Sequence, residues 1–161
     1  MEDNISVREI KGTDKAWVKE VMVQNWGSEM VITSQSFNTL ELPGFIAEID
    51  KKAVGVLTYN IENVECEIVS LNSIVSGRGV GTSLIDKMKE VSREKKCKNI
   101  KLATSNDNID ALKFYQKRGF RIVKIYPNAI EEARKIKPQI PEVGSYGIPI
   151  KDLIELGFVL S

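Results

Sequence analysis

The stretch that decides the fold of this chain is Ser76-Gly77-Arg78-Gly79-Val80-Gly81-Thr82, which lies between an apolar run and a helix-patterned run. Glycine at alternate positions permits positive φ and lets the main chain approach a ligand closely. The helix that follows directs its unpaired N–H groups and the positive end of its dipole to the same place. The run therefore predicts a cradle for an anion, with phosphate or pyrophosphate as the natural guest.

The spacing of the glycines excludes two familiar phosphate loops. A P-loop requires Gly-x4-Gly-Lys-Ser/Thr, and here Thr82 follows Gly81 with no lysine. A dinucleotide fingerprint requires Gly-x-Gly-x-x-Gly, whereas these glycines stand at 77, 79 and 81. A tight strand-to-helix turn without a ligand would explain the run on its own equally well, so a second motif has to decide.

The composition is that of an ordinary soluble protein. The chain has 161 residues, 42% of them apolar and 28% charged, and its 23 basic residues nearly balance its 22 acidic ones. We therefore expect one domain, and the charge balance favours neither nucleic acid nor a membrane as partner. The acidic start Met1-Glu2-Asp3-Asn4 and the lack of an apolar run of about 18 residues predict a cytoplasmic protein.

The sequence contains no histidine. This excludes Ser-His-Asp and Cys-His catalytic systems, and the two cysteines cannot close a zinc site by themselves, so no metal is expected. A general base must then be a carboxylate, a lysine, a tyrosine, a terminus or water. Cys66 and Cys97 are predicted to be free thiols, buried or half-buried.

The N-terminal half predicts a strand, a helix and a meander. Residues 5–10 alternate as a strand does, and Thr13 or Asp14 is placed to cap a helix that ends at Trp26-Gly27. Residues 28–43 have a weak pattern, which we interpret as a loop with a short ordered piece and as a substrate-side flap. Three strands of an antiparallel meander follow, at residues 45–49, 53–59 and 64–72.

The C-terminal half predicts helices and strands in alternation. A helix over residues 83–96 leads to a strand at 99–104, a helix capped by Asn108 and ended by Gly119, and a strand at 120–125. Strand, helix and strand in this order indicate a βαβ unit with parallel strands and a right-handed crossover. The tail adds a helix at 128–137, a proline-rich loop and a last strand near 148–159.

The second motif is Asn108-Ile109-Asp110-Ala111-Leu112-Lys113-Phe114-Tyr115-Gln116-Lys117-Arg118-Gly119-Phe120. It resembles the Asn-x-x-Ala-x-x-Phe-Tyr-x-Lys-x-Gly-Phe signature of GNAT-type N-acetyltransferases. The glycine run is similar to the acetyl-CoA loop of that family, Gln/Arg-x-x-Gly-x-Gly/Ala. Gly79 and Gly81 match, Ser76 departs from Gln/Arg, and Arg78 is placed to compensate. Both motifs and the strand order cover about residues 5–126.

The resemblance implies an α+β fold with a mixed, mostly antiparallel sheet of about seven strands, flanked by helices and containing a βαβ unit after the glycine loop. It implies one N-acetyltransferase domain, 1–161, in which residues 127–161 carry a helix and proline-rich insertion and the last strand. This insertion is a candidate for acceptor specificity, for covering a sheet edge or for forming a homodimer.

The implied reaction is transfer of acetyl from acetyl-CoA to a primary amine of a small molecule or peptide, by direct attack in a ternary complex. The alternative is a non-catalytic acyl-CoA-binding or sensor module. Glu67, or else Glu65, is the implied base, since two residues two apart in a strand share a face; two solvated glutamates would be as common.

Tyr115 is implied as a hydrogen-bond donor to the departing thiolate. Full proton transfer from a phenol with a pKa of ~10 to a thiolate with a pKa of ~8.5 would be uphill by about 2 kcal/mol. A backbone N–H near Leu71 is the implied donor to the carbonyl oxygen. The residues implied for acetyl-CoA are Leu71, Asn72, Ser73, Gly77, Arg78, Gly79, Val80, Gly81, Thr82, Asn108, Ala111, Phe114 and Lys117.

Overall fold

The computed structural model describes residues 4–25, 29–32, 35–38 and 40–160, and the side-chain surroundings of all of these except residues 25–38. Its main feature is a seven-stranded, mostly antiparallel sheet with helices, which confirms the expected α+β class. The strand order is β1-β4-β5-β6-β7-β9-β8, and β2 and β3 pair separately.

The bounds of the strands are β1 Ile5–Glu9, β2 Glu29–Ile32, β3 Gln35–Asn38, β4 Gly44–Ile49, β5 Lys52–Glu62, β6 Glu65–Ser73, β7 Asn99–Ser105, β8 Arg121–Tyr126 and β9 Leu153–Val159. The bounds of the helices are α1 Lys15–Asn25, α2 Val80–Glu94, α3 Ile109–Lys117 and α4 Ala129–Ile136. None of the helices in the described part of the chain is long and apolar enough to cross a membrane.

The chain forms two compact units. The first comprises Met1–Met30, Asn38–Ile100 and Leu160–Ser161, and the second comprises Val31–Phe37 and Lys101–Val159.

The first unit contains the predicted meander. β4, β5 and β6 pair antiparallel in sequence, and β1 pairs antiparallel with β4. Asp50 and Lys51 form the turn between β4 and β5 with φ of 52° and 65°, the left-handed pair that suits the twist of a hairpin. In β6, Val69 is an extra residue, because Thr58 pairs with Ser70 and Tyr59 pairs with Ile68. This bulge bends the strand just before it reaches the glycine loop.

Asp14, one of the two predicted caps of α1, directly precedes the helix, but its side chain bonds back to the preceding turn Gly12–Asp14, in which Lys11 is the N-cap residue. Its carboxylate accepts the Lys11 N–H at 2.7 Å and pairs with both terminal nitrogens of Arg8 at 2.7 and 2.8 Å. A short 3-10 turn at Gly12–Asp14 precedes the helix. The predicted end at Trp26-Gly27 lies outside the described residues.

Gly55 brings α2 close to β5. A Cβ at this position would lie 2.5 Å from Cγ1 of Val80 and 3.2 Å from Cδ1 of Leu84. The helix begins at Val80, three residues before the predicted start, because the Ser83 N–H already bonds the Gly79 carbonyl at 3.0 Å. Elsewhere in this unit, a core of five buried side chains joins α1 to the sheet: Val18, Val21, Met22, Ile46 and Val56.

The second unit shows β7, α3 and β8 in the predicted order, but the βαβ unit is split. β9 lies between β7 and β8 and pairs antiparallel with β8. The two strands of the unit are therefore not hydrogen-bonded neighbours. The burial pattern gives the reason, since β9 buries Leu153 and Leu156 while β8 is exposed over residues 121–125 and forms the sheet edge.

Residues 28–43, predicted as a loop with a short ordered piece, contain a pair of short strands at 29–32 and 35–38. Four-residue strands are too short to display a clear alternation in the sequence. The flap role of this segment stays a prediction. The last strand begins at Leu153 rather than near Ile148, because the backbone of residues 149–152 is held by Asn106 instead of by a neighbouring strand.

Both cysteines are free and buried, as predicted. Cys66 lies in β6 and is fully buried, and burial raises the pKa of its thiol to about 11. Cys97 follows the end of α2, and burial raises the pKa of its thiol as well.

Candidate functional site

The glycine loop has the backbone that only glycine adopts readily. Gly77 and Gly79 have φ of 70° and 80°, in the left-handed region where a side chain is strained. A Cβ on Gly77 would meet nothing within 4 Å, so this part of the loop borders open space. The positive φ expected from the sequence is confirmed at both positions, and a ligand is free to approach the main chain there.

The N-terminus of α2 has no side-chain cap. Gly79 is its N-cap residue, and no Asp or Glu stands in its first turn. By contrast, α3 and α4 carry Asp110 and Glu131 in their first turns. The first turn of α2 therefore keeps its positive end without an internal carboxylate, and Arg78 beside it is exposed. This arrangement suits an anion.

The end of β6 leads directly into this loop. Leu71, Asn72 and Ser73 pair with β5, and Val69, the bulged residue, stands two positions before Leu71. The Oδ1 atom of Asn72 is buried and has no hydrogen-bond partner among the described residues.

Glu65 and Glu67 lie on one face of β6, as their spacing predicts. They pair with Glu62 and Asn60 in regular register, and Cys66 between them is buried on the opposite face. Both glutamates are half-buried. Their solvent exposure is thus intermediate between that of a surface pair and that of an enclosed general base. The choice of Glu67 or Glu65 as the general base stays a prediction.

In the second unit, Asn108 caps α3. Its side-chain oxygen accepts the Ala111 N–H at 3.2 Å, which confirms the predicted cap. Ala111 and Phe114 are half-buried, and Lys117 is exposed at the last turn. The structure thus brings four residues of the second motif together on one short helix, while their contact with a cofactor stays a prediction.

Tyr115 is the buried residue of α3. Its ring packs edge-on against Phe114 at 5.1 Å and Phe120 at 5.5 Å between centroids. Burial raises the pKa of its phenol above the ordinary value of 10.0. A phenol that holds its proton more tightly can donate a hydrogen bond to a thiolate, but complete proton transfer becomes still less favourable.

Sequence reasoning missed the junction between β7 and α3. Asp107 is buried and accepts hydrogen bonds from the Ser105 hydroxyl and, at 2.9 Å, from the Ser145 N–H. Asn106 accepts the N–H groups of Lys151 and Asp152. The run Asn106-Asp107-Asn108 was the available signal, because such side chains commonly bond nearby backbone groups. Its partners 38 to 46 residues away could not be inferred from it.

Among the residues whose surroundings the structure describes, no three or more Cys, Asp or Glu side chains are grouped so that they could hold a metal ion.

Comparison with known proteins places these features in a family. Residues 15–120 match the model of the acetyltransferase (GNAT) family. The uncharacterized protein YxbD of Bacillus subtilis (strain 168) is 46% identical over 140 residues, which are 86% of this chain and 88% of that protein. The chain belongs to the GNAT acetyltransferase family.

Solved structures share the fold. An IAA acetyltransferase from Bacillus cereus ATCC 14579 superposes with a TM-score of 0.77 at 19% identity, covering 98% of this chain and all of that one. A GNAT family acetyltransferase from Elizabethkingia anophelis, solved with acetyl-CoA bound, superposes with a TM-score of 0.70 at 22% identity over 99% of this chain and all of that one.

Proposed function

We propose that the protein transfers an acetyl group from acetyl-CoA to a primary amine of a small molecule or peptide, by direct attack in a ternary complex. The observation that carries the proposal is the glycine loop at the N-terminus of α2. Gly77 and Gly79 have positive φ, Gly77 borders open space, and no carboxylate stands in the first turn of the helix. The acetyl-CoA seen in the Elizabethkingia neighbour supports this choice of anion.

Acetyl-CoA supplies the activated thioester when bound. The N–H groups of the first turn of α2 and the exposed Arg78 would hold its pyrophosphate. The backbone beside Leu71, after the bulge at Val69, would donate to the carbonyl oxygen as negative charge grows on it. Asn108, Ala111, Phe114 and Lys117 of α3 would contact the rest of the cofactor.

The chain must also provide a neutral amine. An amine with a pKa of ~10.4 is neutral in only about one part in a thousand at pH 7, a deficit of roughly 4 kcal/mol. Glu67 is the first candidate to accept the proton, directly or through water, with Glu65 second on the same face. Tyr115 then donates a hydrogen bond to the departing thiolate.

The proposal includes the cellular compartment and the oligomeric state of the enzyme. The free, buried thiols of Cys66 and Cys97 support a reducing compartment, the cytoplasm. The exposed Ile122, Val123 and Ile125 of the edge strand β8 support a homodimer.

Release of free CoA from acetyl-CoA, measured over amino acids, polyamines, aminoglycosides and peptides, tests the function. We expect at least one amine class to stimulate release above the rate without amine. Binding of acetyl-CoA in calorimetry without release by any amine would instead support a non-catalytic acyl-CoA-binding module.

Gly79→Ala tests the loop itself. An alanine at φ near 80° is strained by about 1–2 kcal/mol, so the loop shifts and acetyl-CoA should bind about tenfold more weakly in calorimetry. Gly12→Ala is the matched control, because a Cβ there meets nothing within 4 Å and its φ is not positive. Equal affinities for both variants would remove the glycine loop from the cofactor site.

A further inference from the structure

A pair of buried hydroxyl groups joins β5 to β6 beside the bulge of the first unit. Thr58 and Ser70 are both buried, and Oγ1 of Thr58 lies 2.5 Å from Oγ of Ser70, so one hydroxyl donates a hydrogen bond to the other. Ser70 directly follows Val69, the extra residue of β6, and pairs with Thr58 across the two strands. The hydrogen bond therefore borders the bulge.

The surroundings of this pair are apolar. Val56 stands two residues before Thr58 on the same face of β5, and it is fully buried in the core that joins α1 to the sheet. A valine in place of Thr58 and an alanine in place of Ser70 would have nearly the same shapes, so the hydroxyls are not needed to fill this core. A buried polar pair adds little net stability, but it favours the one register in which its members meet.

The turn between β5 and β6 sets a different register. That register begins where Glu62 pairs with Glu65 and continues to Tyr59. Continued by one more residue, it would place Val69 opposite Thr58, and the two hydroxyls would each lose their partner. The observed register changes by one residue at this point and brings them together. The hydrogen bond therefore favours the bulge at its observed position.

The bulge also determines how Glu67 and Leu71 are placed relative to each other. These residues are four apart and would share a face in a regular strand. Instead, Glu67 pairs with Asn60 and Leu71 pairs with Leu57, which are three apart in β5, so the two side chains lie on opposite faces of the sheet. The proposed base and the proposed backbone donor to the carbonyl oxygen thus stand on either side of the bulge.

We propose that the hydrogen bond between Thr58 and Ser70 fixes the bulge at Val69, and that both are positioning residues for acetyl transfer. The positioning role rests on the proposed function, whereas the fixing of the bulge does not. Thr58 and Ser70 act through Glu67 and through the backbone beside Leu71. Without their hydrogen bond, the bulge shifts along β6 and the two groups are less often placed together for the reaction.

Amide hydrogen exchange and urea unfolding of the ligand-free protein test the fixing of the bulge. Thr58→Val and Ser70→Ala each leave one buried hydroxyl without its partner, and each should lower the folding equilibrium constant about ten- to a hundredfold. The double variant replaces both groups by apolar ones of similar shape and should recover most of that loss. The amides of residues 69–71 should still exchange about tenfold faster in the double variant than in the unsubstituted protein, because the bulge is no longer fixed.

Ser92→Ala is the matched control, because Ser92 is also buried in the first unit but belongs to α2. It should leave the exchange of residues 69–71 unchanged. Unchanged exchange of these residues in the double variant would overturn the fixing of the bulge. A double variant less stable than both single variants would overturn it too, since the pair would then serve stability rather than register.

Release of CoA from acetyl-CoA tests the positioning role. The double variant should keep KM for acetyl-CoA within about twofold and lose kcat about tenfold or more, whereas Thr58→Ser, which keeps a hydroxyl, should retain most of kcat. An unchanged kcat in the double variant would overturn the positioning role alone. If no amine stimulates release by the unsubstituted protein, the proposed function and the positioning role both fail, and the exchange of residues 69–71 still decides whether the pair fixes the bulge.

Discussion

At the scale of single residues, Tyr115 shows how burial selects among chemical roles. The ring is enclosed by Phe114 and Phe120, and burial holds the pKa of its phenol above that of an exposed tyrosine. A group with this pKa keeps its proton at every pH where the enzyme would work. It can therefore act throughout as a hydrogen-bond donor.

Replacing Tyr115 by phenylalanine removes that donor and keeps the packing of the ring. We expect turnover to fall by about tenfold to a thousandfold, because the developing thiolate loses its partner, while the affinity for acetyl-CoA changes little. Steady-state kinetics and calorimetry measure the two effects, with Tyr126→Phe as the control. Unchanged turnover would remove Tyr115 from the mechanism.

The site residues that could be identified from the sequence are those whose conformation or hydrogen-bond partner is determined within a few residues along the chain. The cap Asn108 bonds a group three residues away, and the left-handed Gly77 and Gly79 follow from their own chemistry. Asp107 could not be identified, because it meets Ser145 only after the tail has folded back. A local pattern contains no information about such distant partners.

At the scale of elements, Arg8 and Asp14 tie β1 to the turn that starts α1. The two hydrogen bonds from Arg8 are the main cause that lowers the pKa of Asp14 to about 2 from its usual 3.8. Because this pKa is lowered on folding, the pair stabilises the protein above pH 3.8, and the stabilisation is lost as the pH falls toward 2.

Asp14→Asn should therefore lower the free energy of unfolding by about 1–2 kcal/mol at pH 7, a value reduced for the partial exposure of Arg8. The difference from the unsubstituted protein should shrink as urea unfolding is repeated between pH 4 and pH 2. Asp86→Asn, at an exposed position of α2, serves as control. A loss that is the same at every pH would contradict a role for the charge.

The order of elements was predictable, whereas their places in the sheet were only partly so. The meander of β4, β5 and β6 follows from short turns between alternating runs. The insertion of β9 between β7 and β8 depends on a strand that comes last in the chain and buries Leu153 and Leu156 on folding back. Rules that relate consecutive elements, such as the parallel βαβ unit, do not predict this insertion.

At the scale of the whole molecule, the sequence predicts one domain and the structure contains two compact units. If the prediction is right, both units unfold in one transition. Reaction of the fully buried Cys66 with a thiol reagent reports the first unit, and amide exchange along β8 and β9 reports the second.

We expect the two probes to give the same free energy of unfolding within about 0.5 kcal/mol. The reagent must wait for unfolding, because burial raises the pKa of the Cys66 thiol to about 11 and shields it. Two clearly different free energies would show separate unfolding and contradict the single-domain prediction.

Gly55 has no side chain, and this allows α2 to pack close to β5. Any larger residue would lift Val80, and with it the first turn that faces the glycine loop. The geometry of the glycine loop thus depends on a position in β5, where Gly55 faces Val80 and Leu84 of α2. A side chain at Gly55 would therefore disturb the glycine loop by displacing α2, although Gly55 itself is not part of that loop.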